Sequence, residues 1–501
     1  MLNQRASGIL LPIFSLPSSH GIGDLGEKAY QFIDFLEQTH QKYWQILPLT
    51  PVDQGLGNSP YSSISAFAGN TLFISLNKLC YQGLLNSIDI ESPPEFPDGH
   101  IDYPAVRAFK EPLLHKAFEN FNKIVDENAE EAFRQFCEEE AYWLDDYALF
   151  KCLRIKNNEY AWIDWGHDLA NRVPETLAAA RDELANEILR EKFFQYLFYQ
   201  QWAELKAYSN KKGVMIFGDL PIYVNYDSVD VWVNPHLFKL NENKLPYVVA
   251  GTPPDRFSTT GQLWGNPVYN WDAMQNENFE WWLRRIGHNF LLFDLVRLDH
   301  FLGFVNYYEI PVNEPTAING YWQKAPAEEF FTALNARFPD PAIVVEDLGT
   351  ISPDVISFVQ RHRLPGMKVL QFAFTGDEEM NPHLPHNHNN HSVVYTSLHD
   401  TNTTHGWWQT EATEHEKYRL ATYARQDLST DNVADAVVHM AMQSRANIVI
   451  VPIQDILNMN EKARINVPGT SHGNWEWQLT DGWESENIIQ KLNAFVIEGE
   501  R

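Results

Sequence analysis

The stretch NFEWWLRRIGHNFLLFDLVRLDH, residues 278–300, contains the unit from which the fold can be predicted. Its first half places apolar residues at helical spacing, and its second half is a nearly continuous apolar run that ends in Asp299. Continuous rather than alternating hydrophobicity is typical of a parallel strand that is buried on both faces. The stretch therefore predicts a helix followed by a parallel strand whose end carries a carboxylate.

Seven further apolar runs bounded by turn residues have the same character. They are GILLP from residue 8, YWQILPL from 43, VMIFGD from 214, AIVVED from 342, MKVLQF from 367, SVVYTS from 392 and NIVIVP from 447. Helical periodicity lies between most of them, including a long helical stretch from about 416 to 445. Eight strands that alternate with helices predict an α/β fold, a (β/α)8 TIM barrel, with residues 1–501 as a single catalytic unit.

Two gaps between the predicted strands are too long for simple crossovers. Residues 71–210 hold several helical patterns and predict a large, mainly helical inserted subdomain. Residues 220–270 are rich in Pro, Gly, Asn and aromatic residues and predict a long ordered loop inserted over the C-terminal face of the barrel, covering the active site. The 49 residues after position 452 leave no room for a C-terminal β-sandwich domain.

The composition limits the partners and the compartment. The 66 Asp and Glu residues outnumber the 38 Lys and Arg residues, and the net charge of -28 argues against nucleic acid and anionic membranes as partners. Three cysteines without disulfide or zinc spacing, and no apolar run of about 18 residues, predict a cytoplasmic protein without a membrane span. No cofactor and no metal are expected, and the oligomeric state is not predicted.

Four of the predicted strands lead into an acidic residue, namely Asp219, Asp299, Glu346 and Asp400. In barrels of this kind, catalytic groups lie at the C-terminal ends of the strands and on the loops that follow them. Any one acid could simply cap a helix or end a solvated strand, but four in register favour catalysis. A pair of carboxylates that flanks a glycosidic bond is what retaining glycoside chemistry requires.

Strand alternation and charge add expectations for single acids. Arg297 lies two positions before Asp299, so both side chains should share one face of the strand, and the guanidinium should keep Asp299 ionised. Two acids about 5.5 Å apart repel by roughly 3 kcal/mol at an effective dielectric near 20, which would keep one of them protonated near neutral pH. Glu346 and Asp347 should face opposite ways, and alternation alone does not choose between them.

Ten motifs spread over essentially the whole chain carry a family resemblance. They are LPSSHGIGDLG, SPYSSISAFAGN, GDLPIYV, GTPPDRFSTTGQLWGNPVYNW, VRLDHFLGF, VVEDLG, LPGMKVLQFAF, HDTNT, QDIL and NVPGTSHGNWEW. Together they resemble glycoside hydrolase family 77, the 4-α-glucanotransferases, amylomaltases or disproportionating enzymes, which are related to the α-amylases. The resemblance implies a retaining transglycosylase that moves α-1,4-glucan segments from a donor maltooligosaccharide or glucan to the 4-hydroxyl of an acceptor glucan or glucose through a covalent glucosyl-enzyme intermediate.

The same resemblance implies the roles of individual residues. Asp299 is expected as the nucleophile, Glu346 as the general acid and base, and Asp400 as a third acid that grips hydroxyls of the distorted donor sugar. Arg297 and His399 match close companions of these acids. The further substrate-binding positions are Asp219, Tyr61, Trp264, Asn466, Ser59 and Phe372.

The chain departs from the family pattern at a few positions near these motifs. Asn402 stands where the family often has Asp, and Gln478 stands where Arg is common. Ser62 and Asn58 also vary beside Tyr61. Because no catalytic acid is lost, the departures bear on subsites and chain-length preference rather than on the reaction.

Aromatic residues in the predicted loop bear on the choice between transfer and hydrolysis. Trp264, Tyr269 and Trp271 could stack a sugar on the acceptor side and exclude water, so that the intermediate waits for a glucan hydroxyl. A merely structural surface loop is the alternative. We therefore expect Trp264→Ala to raise hydrolysis relative to transfer.

Other functions fit parts of the sequence. The same acids could serve an α-amylase-like hydrolase of α-1,4-glucans, and a catalytically silent glucan-binding barrel would also keep the fold. The cluster of His383, His386, His388 and His391 invites a metal-dependent hydrolase, but its Pro and Asn neighbours favour structural or sugar-contacting roles. In the leading interpretation the partners are α-1,4-glucans and maltooligosaccharides, as donor and acceptor.

Overall fold

Eight parallel strands close into a barrel in the computed structural model, which describes residues 4–123, 126–254, 258–349, 351–376, 379–470 and 472–501. The order around the barrel is β1-β12-β11-β10-β9-β6-β3-β2. The twelve strands of the described residues are β1 (Ala6–Leu10), β2 (Tyr43–Gln45), β3 (Met215–Leu220), β4 (Val248–Thr252), β5 (Gln262–Pro267), β6 (Leu295–Leu298), β7 (Asn306–Pro311), β8 (Tyr321–Lys324), β9 (Ile343–Val345), β10 (Gly366–Val369), β11 (Ser392–Tyr395) and β12 (Ile448–Pro452). Each of the eight apolar runs forms one barrel strand, which confirms the predicted (β/α)8 barrel.

Helices separate most of the barrel strands, whereas the described residues between β10 and β11 form only short 3-10 turns and loop. Within the described residues they are α1 (Glu27–Gln38), α2 (Leu76–Tyr81), α3 (Tyr103–Phe121), α4 (Glu127–Glu139), α5 (Ala141–Lys156), α6 (His167–Ala170), α7 (Pro174–Glu183), α8 (Ala185–Lys211), α9 (Val229–Val233), α10 (Trp271–Asn276), α11 (Glu280–Leu292), α12 (Ala327–Arg337), α13 (Pro353–Arg361), α14 (Thr404–Thr410), α15 (Glu414–Ala424), α16 (Val433–Gln443), α17 (Ile453–Ile456) and α18 (Glu486–Glu498). None of them is both long enough and apolar enough to cross a bilayer.

The helical stretch expected over residues 416–445 is two helices, and that expectation is wrong. Helix α15 ends at Ala424, and Arg425 adopts a left-handed φ of 54°. The side chain of Asn432 then accepts a hydrogen bond from the Ser429 amide at 2.8 Å, which organises the turn before α16. The polar segment 425–432 lacks the apolar face that would have rewarded a continuous helix.

The 71–210 region consists of α2 to α8 and short 3-10 turns, apart from residues 124–125, which lie outside the described residues. Its interior includes Phe193, whose ring lies 4.6 Å from Phe121 and 5.6 Å from Phe118 and Phe133 between centroids. The 27-residue helix α8 leads from this interior into β3. That the region is a distinct subdomain stays a prediction.

A second sheet lies outside the barrel, with the antiparallel order β5-β4-β7-β8. Strands β4 and β5 come from the 220–270 region, so the expected long loop is wrong in that part, while residues 255–257 lie outside the described residues. A register shift between Val249 and Gly251 interrupts the pairing. Such a bulge breaks the period of two by which a strand is recognised in sequence.

The barrel interior is apolar at its centre and polar at one end. One buried cluster fills the centre and includes Tyr43, Phe217, Leu295, Val344, Met367, Val393, Tyr395 and Ile448. The register of β3 with β6 pairs Asp219 with Arg297, next to the C-terminal ends of both strands. Charged side chains therefore meet at the C-terminal mouth, above a packed core.

Candidate active site

A single buried guanidinium contacts three carboxylates at the barrel mouth. Arg297 Nη2 lies 2.7 Å from Asp299 Oδ1, and Arg297 Nε donates to Asp219 Oδ1 at 3.0 Å. Arg297 Nη1 lies 3.7 Å from Glu346 Oε2. Since Arg297 is only 3% exposed, these contacts are weakly screened by water. Arg297 and Asp299 meet on one face of their strand, as their spacing predicts.

The carboxyl of Glu346 is fixed through one of its oxygens. Its Oε2 accepts a hydrogen bond from the backbone N–H of His300 at 2.6 Å, and its backbone carbonyl accepts one from the Phe301 amide at 3.3 Å. Among the described residues, Oε1 has no hydrogen-bond donor. The carboxyl is thus oriented by the turn that follows Asp299, with Oε1 left for a proton or a substrate oxygen.

Burial shifts the pKa values of both Asp299 and Glu346 upward. Burial raises the pKa of Glu346 above its ordinary value, and Arg297 and the His300 amide only partly offset that rise. Burial likewise raises the pKa of Asp299 well above its ordinary value, with Arg297 opposing and Glu346 adding to the rise. Burial is therefore a larger cause than the mutual repulsion considered from the sequence.

Arg297 lies closer to one member of the pair than to the other. Asp299 receives the charge-assisted contact from Arg297 at 2.7 Å, whereas the guanidinium lies 3.7 Å from Glu346. Charge-assisted hydrogen bonds favour the ionised form of the acceptor. The guanidinium therefore favours the ionised form of Asp299 at closer range than that of Glu346.

Asp400 lies in the loop between β11 and α14 and has different partners. Its Oδ1 accepts a hydrogen bond from the side-chain Nδ2 of Asn466 at 2.6 Å, and its Oδ2 lies 3.1 Å from His399 Nε2. Burial would raise the pKa of Asp400, but His399 and the Asn466 donor outweigh it and lower that pKa to about 2. Its side chain, 44% exposed, therefore presents a fixed negative charge to the mouth.

Tyr61 joins the two groups of acids. Its hydroxyl donates to Asp219 Oδ2 at 2.6 Å, and its ring stacks on His399 at 5.2 Å between centroids with an interplanar angle of 14°. Trp475 packs against both rings, at 5.6 Å from Tyr61 and 6.2 Å from His399. Neither ring nitrogen of the buried His399 makes a hydrogen bond of good geometry with the described residues. A polar ring of this kind suits a sugar hydroxyl as its partner.

The remaining predicted site residues lie at different distances from the acids. Trp264, on β5, is 36% exposed and meets the ring of His300 edge-on at 4.8 Å. Ser59 accepts a hydrogen bond from the Tyr61 amide at 3.2 Å and so supports the loop of Tyr61. Phe372, in the turn after β10, packs edge-on against His383 at 5.6 Å.

The expected stacking roles of Tyr269 and Trp271 are wrong. Their exposed fractions are 0% and 5%, and the Tyr269 hydroxyl donates to the Ile222 carbonyl at 2.6 Å. Both rings pack in the core, Tyr269 against Trp282 and Trp271 against Phe304, so of the three loop aromatics only Trp264 reaches the surface.

The histidine cluster supports its own loop. His383 Nδ1 accepts from the Val369 amide at 3.1 Å, and the ring nitrogens of His386, His388 and His391 contact a tyrosine hydroxyl or backbone carbonyls. Within the part of the chain that the structure describes, no group of three or more His, Cys, Asp or Glu side chains is arranged to hold a metal ion.

Two departures from the family pattern have local explanations. Asn402 Nδ2 donates to Glu411 Oε1 at 2.9 Å, a contact in which an ionised Asp would repel the glutamate. Gln478 Nε2 donates to the Leu16 carbonyl at 3.0 Å and is buried. Both side chains therefore serve the packing around the mouth.

Several contacts at the site were not anticipated from the sequence. They involve the His300 backbone amide, the Trp475 ring, the Arg464 guanidinium, which donates to the Asp400 carbonyl at 3.2 Å, and the buried Asp455. Three of these four residues lie within recognised motifs, VRLDHFLGF, NVPGTSHGNWEW and QDIL. The motifs were thus a usable signal, although they did not indicate which residue contacts which acid.

The chain is similar to known proteins over almost its whole length. A family model described as 4-alpha-glucanotransferase, glycoside hydrolase family 77, matches residues 11–484. A 4-alpha-glucanotransferase of Thermus thermophilus is 44% identical over 99% of both chains, and one of a Synechocystis species is 45% identical over 97% of both. An amylomaltase from Streptococcus agalactiae, solved in complex with acarbose, superposes with a TM-score of 0.94 at 37% identity, covering 99% of this chain and 100% of that one.

Proposed function

The chain belongs to glycoside hydrolase family 77, the 4-alpha-glucanotransferases, and on that premise we propose that Asp299, Glu346 and Asp400 carry its reaction. The reaction is transglycosylation of α-1,4-glucans, from a donor maltooligosaccharide or glucan to the 4-hydroxyl of an acceptor. The observation that most supports this assignment is the shared Arg297, which contacts Asp299 at 2.7 Å and Glu346 at 3.7 Å in one mouth.

In the first step the donor chain is cleaved. The ionised carboxylate of Asp299 attacks the anomeric carbon and forms an ester bond to the glucosyl unit, while the bond from that carbon to the glycosidic oxygen breaks. The proton of Glu346 moves to the leaving oxygen, and the released fragment departs with a new 4-hydroxyl. Because burial raises the pKa of Glu346, its carboxyl keeps this proton to a higher pH than a solvent-exposed glutamate does.

In the second step the acceptor takes the glucosyl unit. Glu346, now a carboxylate, removes the proton of the acceptor 4-hydroxyl, and the oxygen attacks the anomeric carbon of the intermediate. The ester bond to Asp299 breaks, and the carboxylate is restored. Two inversions at one carbon give net retention of the α configuration.

Asp400 acts on the donor sugar rather than on its proton. Its pKa of about 2 keeps it negative throughout the working pH range, so it accepts hydrogen bonds from donor hydroxyls and favours the positively charged, oxocarbenium-like transition state. His399 and Asn466 contact it, while Tyr61 stacks on His399 and donates a hydrogen bond to Asp219. Trp264 and, with less direct contact, Ser59 and Phe372 complete the proposed subsites.

The 220–270 region is proposed to cover the acceptor side. Trp264 lies edge-on at 4.8 Å from His300, the residue after the nucleophile, and remains 36% exposed. An acceptor glucose could stack on this ring next to the reacting carbon and displace water.

Incubation with maltotriose tests the reaction class. Transfer yields glucose and longer chains at a nearly constant number of reducing ends, whereas hydrolysis raises the number of reducing ends in step with turnover. Unchanged maltotriose would support a binding module instead. Loss of activity in Asp299→Asn and in Glu346→Gln is expected, and full activity in either variant would overturn the mechanism.

A cytoplasmic location is also proposed. It is supported by the acidic composition and by the three cysteines, Cys80, Cys137 and Cys152, which are free thiols in the structure. Recovery of the native protein in a secreted or membrane fraction of its source cells would contradict this.

A further inference from the structure

Asp455 is a buried acid that the proposed mechanism does not use. It lies in α17, just after β12, and is 1% exposed. Its Oδ1 accepts a hydrogen bond from the Thr404 amide at 2.7 Å. Its Oδ2 accepts from the hydroxyls of Thr396 at 2.5 Å, Ser397 at 2.7 Å and Thr404 at 2.8 Å. One carboxylate thus satisfies four donors.

These four donors lie at the two ends of one loop. Thr396 and Ser397 follow β11 directly, and Thr404 is the first residue of α14. The loop between them carries His399 and Asp400. Asp455 therefore ties together the points where the chain enters and leaves the loop of the third acid.

The segment after α17 also holds the middle of that loop. The Asn466 amide N–H donates to the His399 carbonyl at 3.1 Å, and Arg464 Nη2 donates to the Asp400 carbonyl at 3.2 Å. The ends of the loop are held by Asp455 and its centre by residues 464–466. The Asp400 side chain is 44% exposed, so its position depends on this backbone support together with its contacts to Asn466 and His399.

We propose that Asp455 is a positioning residue for glucan transfer: it fixes residues 396–404 so that His399 and Asp400 face the donor sugar. This inference rests on the proposed role of Asp400. Removal of the Asp455 carboxylate leaves its four buried donors without an acceptor, and the loop that carries these donors relaxes. Displacement of a catalytic group by about 1 Å can cost about a hundredfold in rate.

A purely structural role for Asp455 predicts something different. In that case Asp455→Ala would lower the thermal midpoint, but the folded fraction would keep its specific activity. A matched control is Asp294→Asn, at the opposite end of the barrel, where Asp294 accepts from the Ile216 amide at 2.8 Å and from Asn210 at 3.2 Å. This control should lose stability without a change in kcat.

The test is a double-mutant cycle of Asp455→Ala with Asp400→Asn, measured well below the thermal midpoints by fluoride release from an α-maltosyl fluoride donor. We expect Asp455→Ala to lower kcat by about a hundredfold with a smaller change in KM. In the Asp400→Asn background, the same change should cost less than about twofold, because Asp455 acts through Asp400. Additive losses in the double variant, or an unchanged kcat in Asp455→Ala, would overturn the inference.

Milder variants cover the case in which Asp455→Ala does not fold. Thr404→Val and Thr396→Val each remove one hydroxyl donor at nearly constant volume, and each should lower kcat several-fold with the same dependence on Asp400. Full activity of Asp400→Asn alone would instead refute the proposed function, so the two failures are distinguishable.

Discussion

The acids borne on barrel strands and the acid borne on the loop after β11 are held by opposite means. Asp219, Asp299 and Glu346 share the one guanidinium of Arg297, and burial raises the pKa of the latter two acids. Asp400 has His399 and Asn466 to itself, and its pKa falls to about 2. In a buried cluster of acids that shares one positive charge, pKa values are raised, whereas an acid with dedicated partners keeps its charge.

The largest expected effect comes from substitution of Glu346, the proposed proton donor among the acids that share Arg297. Glu346→Gln keeps the shape of the side chain but cannot release a proton, so kcat should fall by about 10³-fold to 10⁴-fold. The adjacent Asp347 faces the neighbouring strand, where it accepts from the Met367 amide at 2.6 Å. Asp347→Asn is therefore the control, expected to lower the thermal midpoint while kcat stays within a few-fold. Equal losses of kcat in both variants would contradict the assignment.

Removal of the shared cation should move the pH profile itself. In Arg297→Gln, burial and repulsion act on Asp299 and Glu346 without the opposing charge, so both pKa values rise. Activity requires an ionised Asp299, and in this variant Asp299 ionises only at higher pH. Activity is lost again when Glu346 loses its proton, which also happens at higher pH. We expect kcat to fall by about a hundredfold near neutral pH and the optimum of kcat/KM to move to higher pH.

Arg154→Gln is the control for this shift. Arg154 is also a buried arginine, and it lies 3.2 Å from Asp53 and 3.4 Å from Asp227, away from the catalytic acids. Its loss should reduce stability and leave the pH optimum in place. A comparable shift in both variants would show that the optimum reports general destabilisation.

For the acid on the loop, Asp400, a hydrogen-bond partner can be removed without a shift in the pH dependence of activity. Asn466→Leu deletes the donor to Asp400 but leaves His399 in place, so the pKa of Asp400 rises from about 2 and stays below the working range. We expect kcat to fall by about tenfold while the pH dependence keeps its shape between about pH 5 and 9. If the pH dependence of kcat in Asn466→Leu shifts as it does in Arg297→Gln, the proposed difference between Asp400 and the acids that share Arg297 is wrong.

The smallest expected effect is on whether water or an acceptor glucan takes the glucosyl unit from the covalent intermediate. Trp264→Ala removes the exposed ring over His300, so water should compete better with acceptor glucan, and the ratio of hydrolysis to transfer should rise several-fold. Trp322→Ala is a matched control, since Trp322 lies on the same sheet with a similar exposed fraction of 44%. Reducing ends counted against total turnover with maltotriose give the ratio, and an unchanged ratio in Trp264→Ala would refute the role.

Most of the barrel was predictable because its strands are buried on both faces. The eight continuous apolar runs are each a barrel strand, and the acids at their ends fall at one mouth. The second sheet was not predictable in the same way. Its strands pair across long intervals, as Val249 does with Ile310, and a register shift interrupts β4. Tyr269 illustrates a further limit, because local sequence does not distinguish a buried ring from an exposed one.

The site was predictable as a set of residues but not as a set of contacts. Strand alternation placed Arg297 beside Asp299, the strand ends indicated Glu346 and Asp400, and the family motifs supplied the roles of these acids. The amide of His300 that fixes Glu346 and the hydroxyls that converge on Asp455 depend on the tertiary packing of distant segments. No spacing within the sequence encodes those distances.

The pairing that closes the barrel joins Ala6 to Ile448 and has a consequence for refolding. Helices and neighbouring strands can form early from local contacts, but this seam must wait for two segments of very different position in the chain to meet. The stack of Tyr61, which follows β2, on His399, which follows β11, spans this seam, so the catalytic mouth is incomplete until the seam has formed. Recovery of transferase activity should therefore lag behind recovery of helical circular dichroism, and enzyme turnover becomes a direct reporter of the final closure step.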